Sequence, residues 1–110
     1  MQIEVKARDI TIGDDVREKV LQRFAKIGKQ VAAGATLSVE LREERLSGEP
    51  AMYRCDCTLV LKGATLRASD RSRDLDHAVH LVADELAVQV RRRQEKQRRR
   101  RPAGGDAQVA

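Results

Sequence analysis

The sequence predicts an α+β domain of order β-α-β-β-β-α, a four-stranded mixed sheet with two helices packed on one face. Three observations carry this. Apolar and polar residues alternate in four segments, the period of half-buried strands. In two other segments apolar residues recur every three or four positions, the period of a helix with one buried stripe. A sheet with a single apolar face needs a cover, which two amphipathic helices supply.

Gln2 to Arg8 sets Ile3, Val5 and Ala7 against Gln2, Glu4, Lys6 and Arg8, and is strand one. Asp14 and Asp15 then place negative charge in a first helical turn, at the positive end of the helix dipole. Val16, Val20, Phe24, Ile27 and Val31 follow at helical spacing, so helix one is expected to run into the AAGA region and end near Gly34. Thr36 to Glu43 alternates again with Leu37, Val39 and Leu41 inward, and the loop RLSGEP, with Gly48 and Pro50, reverses the chain. Tyr53, Cys55, Cys57, Leu59 and Leu61 form the inner side of a long third strand. Lys62-Gly63-Ala64 is a tight turn into a fourth, carrying Leu66 and Ala68. From about Asp74 the helical period returns in Leu75, Val79, Val82, Leu86 and Val90. A helix joins strands one and two, so they are expected to lie parallel through a right-handed crossover, with antiparallel hairpins after them. The outward sheet face carries Glu4, Lys6, Glu40, Arg42, Arg54 and Asp56, mixed in sign and wet.

Length sets the scale: 110 residues with 41% hydrophobic content support one domain around one modest core. No apolar run reaches the ~20 residues of a membrane span, and MQIEVKARDI is not a signal peptide, so a cytoplasmic protein without a membrane partner is expected. Cys55 and Cys57 fit a reducing compartment; two positions apart on a strand they share a face, pair poorly as a disulfide, and read as buried thiols.

Charge is placed unevenly. The chain has 22 Lys+Arg and 17 Asp+Glu, but VRRRQEKQRRRR at residues 90–101 holds eight of the bases and one acid, leaving the remainder slightly acidic. Helix two has no apolar face after Val90, so Arg91, Arg92, Arg93, Lys96, Arg98, Arg99, Arg100 and Arg101 are expected to project as a basic arm. Pro102 then breaks the helix, dividing the chain into a domain over 1–101 and a disordered tail over 102–110. Lys19, Arg23 and Lys26 fall in a narrow arc of helix one, with Lys29 further round, and form a second basic surface. Two basic surfaces on neighbouring helices can grip a phosphate backbone.

The sequence narrows the polyanion. Phe24 and Tyr53 are the two aromatic residues and Tyr53 falls on the inner sheet face, so readout by base stacking is not expected. There is no major-groove motif or zinc-finger spacing, which argues against DNA. Recognition of phosphates and shape remains, as structured RNA requires. His77, His80 and Asp84 stand one helical turn apart, but no second cluster accompanies them and they read as solvent-facing residues, not metal ligands. No phosphate loop, nucleophile elbow or converging polar cluster appears, so neither enzymatic activity nor a cofactor is expected.

Several strings, taken together, resemble the ribosome hibernation factors, the short hibernation promoting factor and protein Y. They are MQIEV at the start, Arg8 closing strand one, VREKV and RFAKI in helix one, LRAS in strand four, Asp74-Leu75, and LAVQV ahead of a basic run. The resemblance covers residues 1 to about 98. It implies a translation silencer, monomeric off the ribosome, that docks in the decoding groove of the small ribosomal subunit and blocks mRNA and tRNA sterically during stress or stationary phase. It also implies ribosomal RNA contacts for Arg8, Arg17, Arg23 and Lys26 and for the segment from Arg91 to Lys96. Gly13 replaces the family's Thr before helix one. Asp76, His80, Glu85 and Val88 stand where the family has Tyr, Asp, Lys and Arg, so the basic charge of those positions falls to the arginines downstream. A general structured-RNA-binding or chaperone-like module is the alternative.

Overall fold

The computed structural model describes the backbone of residues 1–109 and the side chains of residues 1–99. The elements are β1 (Gln2–Arg8), α1 (Asp14–Gly28), β2 (Thr36–Glu44), β3 (Met52–Leu61), β4 (Ala64–Ser72) and α2 (Leu75–Val109). They form one sheet of order β1-β2-β3-β4, with β1 parallel to β2 and the other pairs antiparallel, as the alternating pattern and the intervening helix require. Gly63, at φ 81, supplies the left-handed backbone that the two-residue β3–β4 turn needs.

Register decides which side chains meet. Val5, Val39, Cys57 and Ala68 make one inward row across all four strands, and Ile3, Leu37, Leu59 and Leu66 make the next. Phe24 and Ile27 of α1 and Val79, Val82, Leu86 and Val90 of α2 close over these rows, and no polar or charged side chain is fully buried among the described residues. Both cysteines are free and buried, and desolvation raises their thiols, that of Cys57 to about 11, which leaves them protonated core groups.

One boundary departs from the sequence expectation. Helix α1 ends at Gly28, not near Gly34, because the amides of Lys29 and Gln30 turn back onto the carbonyls of Lys26 and Ile27 in tighter, three-residue closures. Val31 therefore packs against the core edge from a loop, and its helical spacing is coincidental. Glycine at 28, the weakest helix former short of proline, also favours an early end, and that end allows Gln2 N–H to donate to Ala35 O at 3.0 Å as the chain enters β2. The helical assignment of α2 continues past Pro102 to Val109; the tail expected over 102–110 lies outside the residues whose side chains are described.

Glu85 of α2, at a position where the family resemblance implies a lysine, faces Asp70 of β4. Burial, the hydrogen bond that the protonated Glu85 donates to Asp70, and the negative charge of Asp70 push the Glu85 carboxyl up to about 7, while accepting that hydrogen bond lowers the carboxyl of Asp70. The proton of the pair is thus favoured on Glu85, where α2 crosses β4.

Two outcomes follow from this packing. Leu59 is fully buried, so Leu59→Ala should cost about 2 to 5 kcal/mol, read as a lower denaturation midpoint. For the carboxyl pair, the folded state holds the Glu85 proton more tightly than the unfolded chain, where the ordinary value is 4.5. The associated stability is present at acid pH and is lost as pH rises through about 7. Thermal melts from about pH 5 to 8 should show a falling Tm, and Glu85→Gln, which keeps a donor without the titration, should flatten that slope.

Candidate nucleic-acid interface

Helices α1 and α2 lie side by side and run in the same direction. Arg23 meets Asp76 and His80 near the start of α2, and the carbonyl of Gln30, just after α1, accepts a hydrogen bond from Gln94, the twentieth residue of α2. Between them runs an open groove of about 580 Å³, lined on one wall by Lys19, Gln22, Arg23, Lys26 and Gln30 and on the other by Asp76, His80, Ala83, Asp84 and Ala87. The wall from α1 starts at Asp14, whose helix has Gly13 as N-cap; a Cβ there would stand 2.8 Å from Asp15 Oδ1, so glycine makes room for the carboxylate at the helix start.

The groove is not uniformly basic. Arg23 Nη2 donates to Asp76 Oδ2 at 3.1 Å and Nη1 lies 3.2 Å from His80 Nδ1, while His80 Nε2 is 3.2 Å from Asp84. The charge of Arg23 is thus shared with a carboxylate of α2, and the exposed Lys19 and Lys26 are the cations of α1 that face outward from the groove. Arg17, expected as an RNA contact, sits elsewhere on α1 with Nη1 donating to Val5 O at 2.9 Å, held against β1. Arg8 is at the end of β1 with Nε 3.8 Å from Glu40, and exposed Lys29 caps the end of α1. The expected helix-one surface therefore divides: Lys19, Arg23 and Lys26 come together, and Arg8 and Arg17 do not join them.

The basic run begins differently from expectation. Arg91 and Arg92 are exposed, but Arg93 is half-buried, with Nη2 donating to Lys62 O at 3.3 Å in the β3–β4 turn, and Gln94 is half-buried against Gln30. Gln89, one turn earlier, donates to Arg67 O at 2.7 Å. The projecting arm starts after Gln94, not at Arg91. Apolar periodicity cannot report this, because the last turn that docks does so through polar side chains on backbone carbonyls. Glu95, Lys96, Gln97, Arg98 and Arg99 are exposed; the side chains of Arg100 and Arg101 lie outside the described residues. Helical spacing places Arg91 one turn beyond Ala87, so it prolongs the α2 wall of the groove, with Arg98 two turns further along the same side.

His77 and His80 are exposed, as expected, and His77 Nδ1 pairs with Ser72 Oγ at 2.9 Å. Among the described residues no three metal-ligating side chains converge, and no helix is long and apolar enough to cross a membrane. Tyr53, half-buried, lines a cleft with Ile12, Gly13 and Leu75 on the covered side of the sheet.

Comparison with known proteins gives this geometry a context. The ribosome hibernation promoting factor of Salmonella typhimurium is 27% identical over 96 residues, which is 87% of this chain and 96% of that protein. The N-terminal domain of Thermus thermophilus protein Y superposes with a TM-score of 0.71 at 26% identity, over 84% of this chain and 98% of that one. A ribosomal subunit interface protein from Coxiella burnetii, at 17% identity and a TM-score of 0.73 over 86% of this chain and 99% of its own, shares the fold. The family model described as sigma 54 modulation protein / S30EA ribosomal protein matches residues 3–98, from β1 into the first residues of the arm, and the chain belongs to that family.

Proposed function

We propose that this protein binds the small ribosomal subunit and silences translation by occupying the decoding groove, where it excludes mRNA and tRNA sterically. The observation that carries the reading is the groove between α1 and α2, margined by Lys19 and Lys26 on one side and prolonged by Arg91 on the other, in a member of a family whose relatives are named for ribosome hibernation. Such a surface presents fixed cations to phosphates and offers no aromatic platform, so it favours a shaped RNA backbone over a base sequence. A cytoplasmic protein, monomeric off the ribosome and acting without a cofactor, fits that role. No reacting group is needed, because the block is made by volume.

The test is sedimentation. The protein should travel with small subunits and whole ribosomes at low salt and leave them as salt rises, the logarithm of affinity falling by about 0.7 to 0.9 per phosphate contact for each tenfold increase. Equal recovery with bulk RNA would favour a general RNA-binding module. In cell-free translation, inhibition should require about one protein per ribosome; inhibition at far lower amounts would overturn a steric mechanism.

The structure also ranks the arginines of the run. Arg91 and Arg92 lie on the part of α2 held by Gln89, Arg93 and Gln94, so their positions are fixed by the fold. Changing both to Glu should abolish pelleting with ribosomes at physiological salt, with an unaltered melt. The same change at Arg98 and Arg99, beyond the last docked residue, should act mainly on the association rate, through attraction screened within about 10 Å.

A further inference from the structure

The helices cover one face of the sheet, and the other face is open. Strand register writes a single row across that open face: Arg8 of β1 pairs with Arg42 of β2, Arg42 with Arg54 of β3, and Arg54 with Arg71 of β4. Four arginines on four adjacent strands, about 4.8 Å apart from strand to strand, make a cationic strip roughly 14 Å long. Like charges directly opposite one another destabilise a sheet, so the row has no folding rationale.

Its neighbours neutralise half of it. In the next row Glu40 lies 3.8 Å from Arg8 Nε and Asp56 3.1 Å from Arg54 Nε. Arg42 and Arg71 form no ion pair among the described residues, and Arg42 Nε is buried without a hydrogen-bond partner. Arg67, four residues before Arg71 on the same face of β4, adds an exposed cation at the sheet edge. No aromatic residue stands on this face, and Val60 is its exposed large apolar side chain, so stacking and hydrophobic docking are both poorly served. Guanidinium groups in a row suit phosphates, which they can bind bidentately.

We propose that the open sheet face is a second phosphodiester-binding surface, on which Arg42 and Arg71, flanked by Arg8 and Arg54, hold one strand of RNA. This rests on the ribosomal reading above and extends it: with the helix groove on one side and the arginine row on the opposite side, the domain is gripped between two RNA surfaces instead of resting on one. A wedge held on both faces resists dissociation without any conformational change.

The test is the double variant Arg42→Gln, Arg71→Gln, which keeps side-chain length and hydrogen-bonding capacity and removes two charges. Its melt should match or exceed the wild type, because repulsion within the row is relieved. Its affinity for purified small subunits should fall at least tenfold, and its salt slope should drop by about 1.4 to 1.8, two phosphate contacts' worth. Wild-type affinity and slope in this variant would overturn the inference while leaving the ribosomal reading standing; wild-type protein that fails to bind small subunits would overturn the reading itself. A second experiment identifies the partner. Because Cys55 and Cys57 are buried, Arg71→Cys can be labelled selectively with a photo-crosslinker. Crosslinks to ribosomal RNA support the proposal, whereas crosslinks to a ribosomal protein, or none, reject it.

Discussion

The burial of one face of the sheet is the constraint from which the remaining features follow. Leu37, Leu41, Leu59 and Cys55 are removed from water only because α2 lies across β3 and β4 while α1 closes over the β1 side. At about 25 cal/mol per Å² of apolar surface, that burial outweighs any single polar contact in the molecule. It also fixes what remains outside. Once both helices are committed to one face, their outer sides and the opposite sheet face are the surfaces left for a partner, and the charged residues are distributed over them.

How those charges act depends on what each side chain meets. Arg23, Arg17 and Arg93 have the same formal charge as Arg91, yet the first shares a carboxylate, and the second and third satisfy backbone carbonyls. Such residues shape and stiffen the surface more than they charge it. Lys19, Lys26, Arg91 and Arg92 keep their full charge toward solvent, from positions that the fold holds still. A rigid arrangement of modest charge can match a rigid RNA surface, whereas the distal arginines contribute a less specific attraction. The same distinction separates Arg42 and Arg71 from Arg8 and Arg54 on the sheet.

Much of this was readable from the residues alone, and the failures have physical causes. The four strands and the inward positions of Val5, Val39, Cys57 and Leu59 follow from alternation, which is a local property of the chain. The end of α1 did not, because Val31 has helical spacing while the closures of Lys29 and Gln30 onto Lys26 and Ile27 end the helix after Gly28. The start of the arm did not, because Gln89, Arg93 and Gln94 reach carbonyls 22, 31 and 64 residues away in the chain. Glu85 reads as a lost surface charge in the sequence, and only its placement opposite Asp70 shows it to be part of the helix–sheet contact.

The sequence by itself determined the order of elements, the single apolar face, the buried thiols and the concentration of basic residues after Val90, since each is written in spacing and composition over short windows. Tertiary structure alone decided which charges are free. Whether Arg23 confronts Asp76, whether Arg93 is tied to Lys62, and whether Arg8, Arg42, Arg54 and Arg71 fall into one row are matters of helix placement and strand register. A slip of one residue in any strand pairing would send its arginine to the other face. Register is set by packing the apolar face as a whole, so the row on the open face is a consequence of the core beneath it.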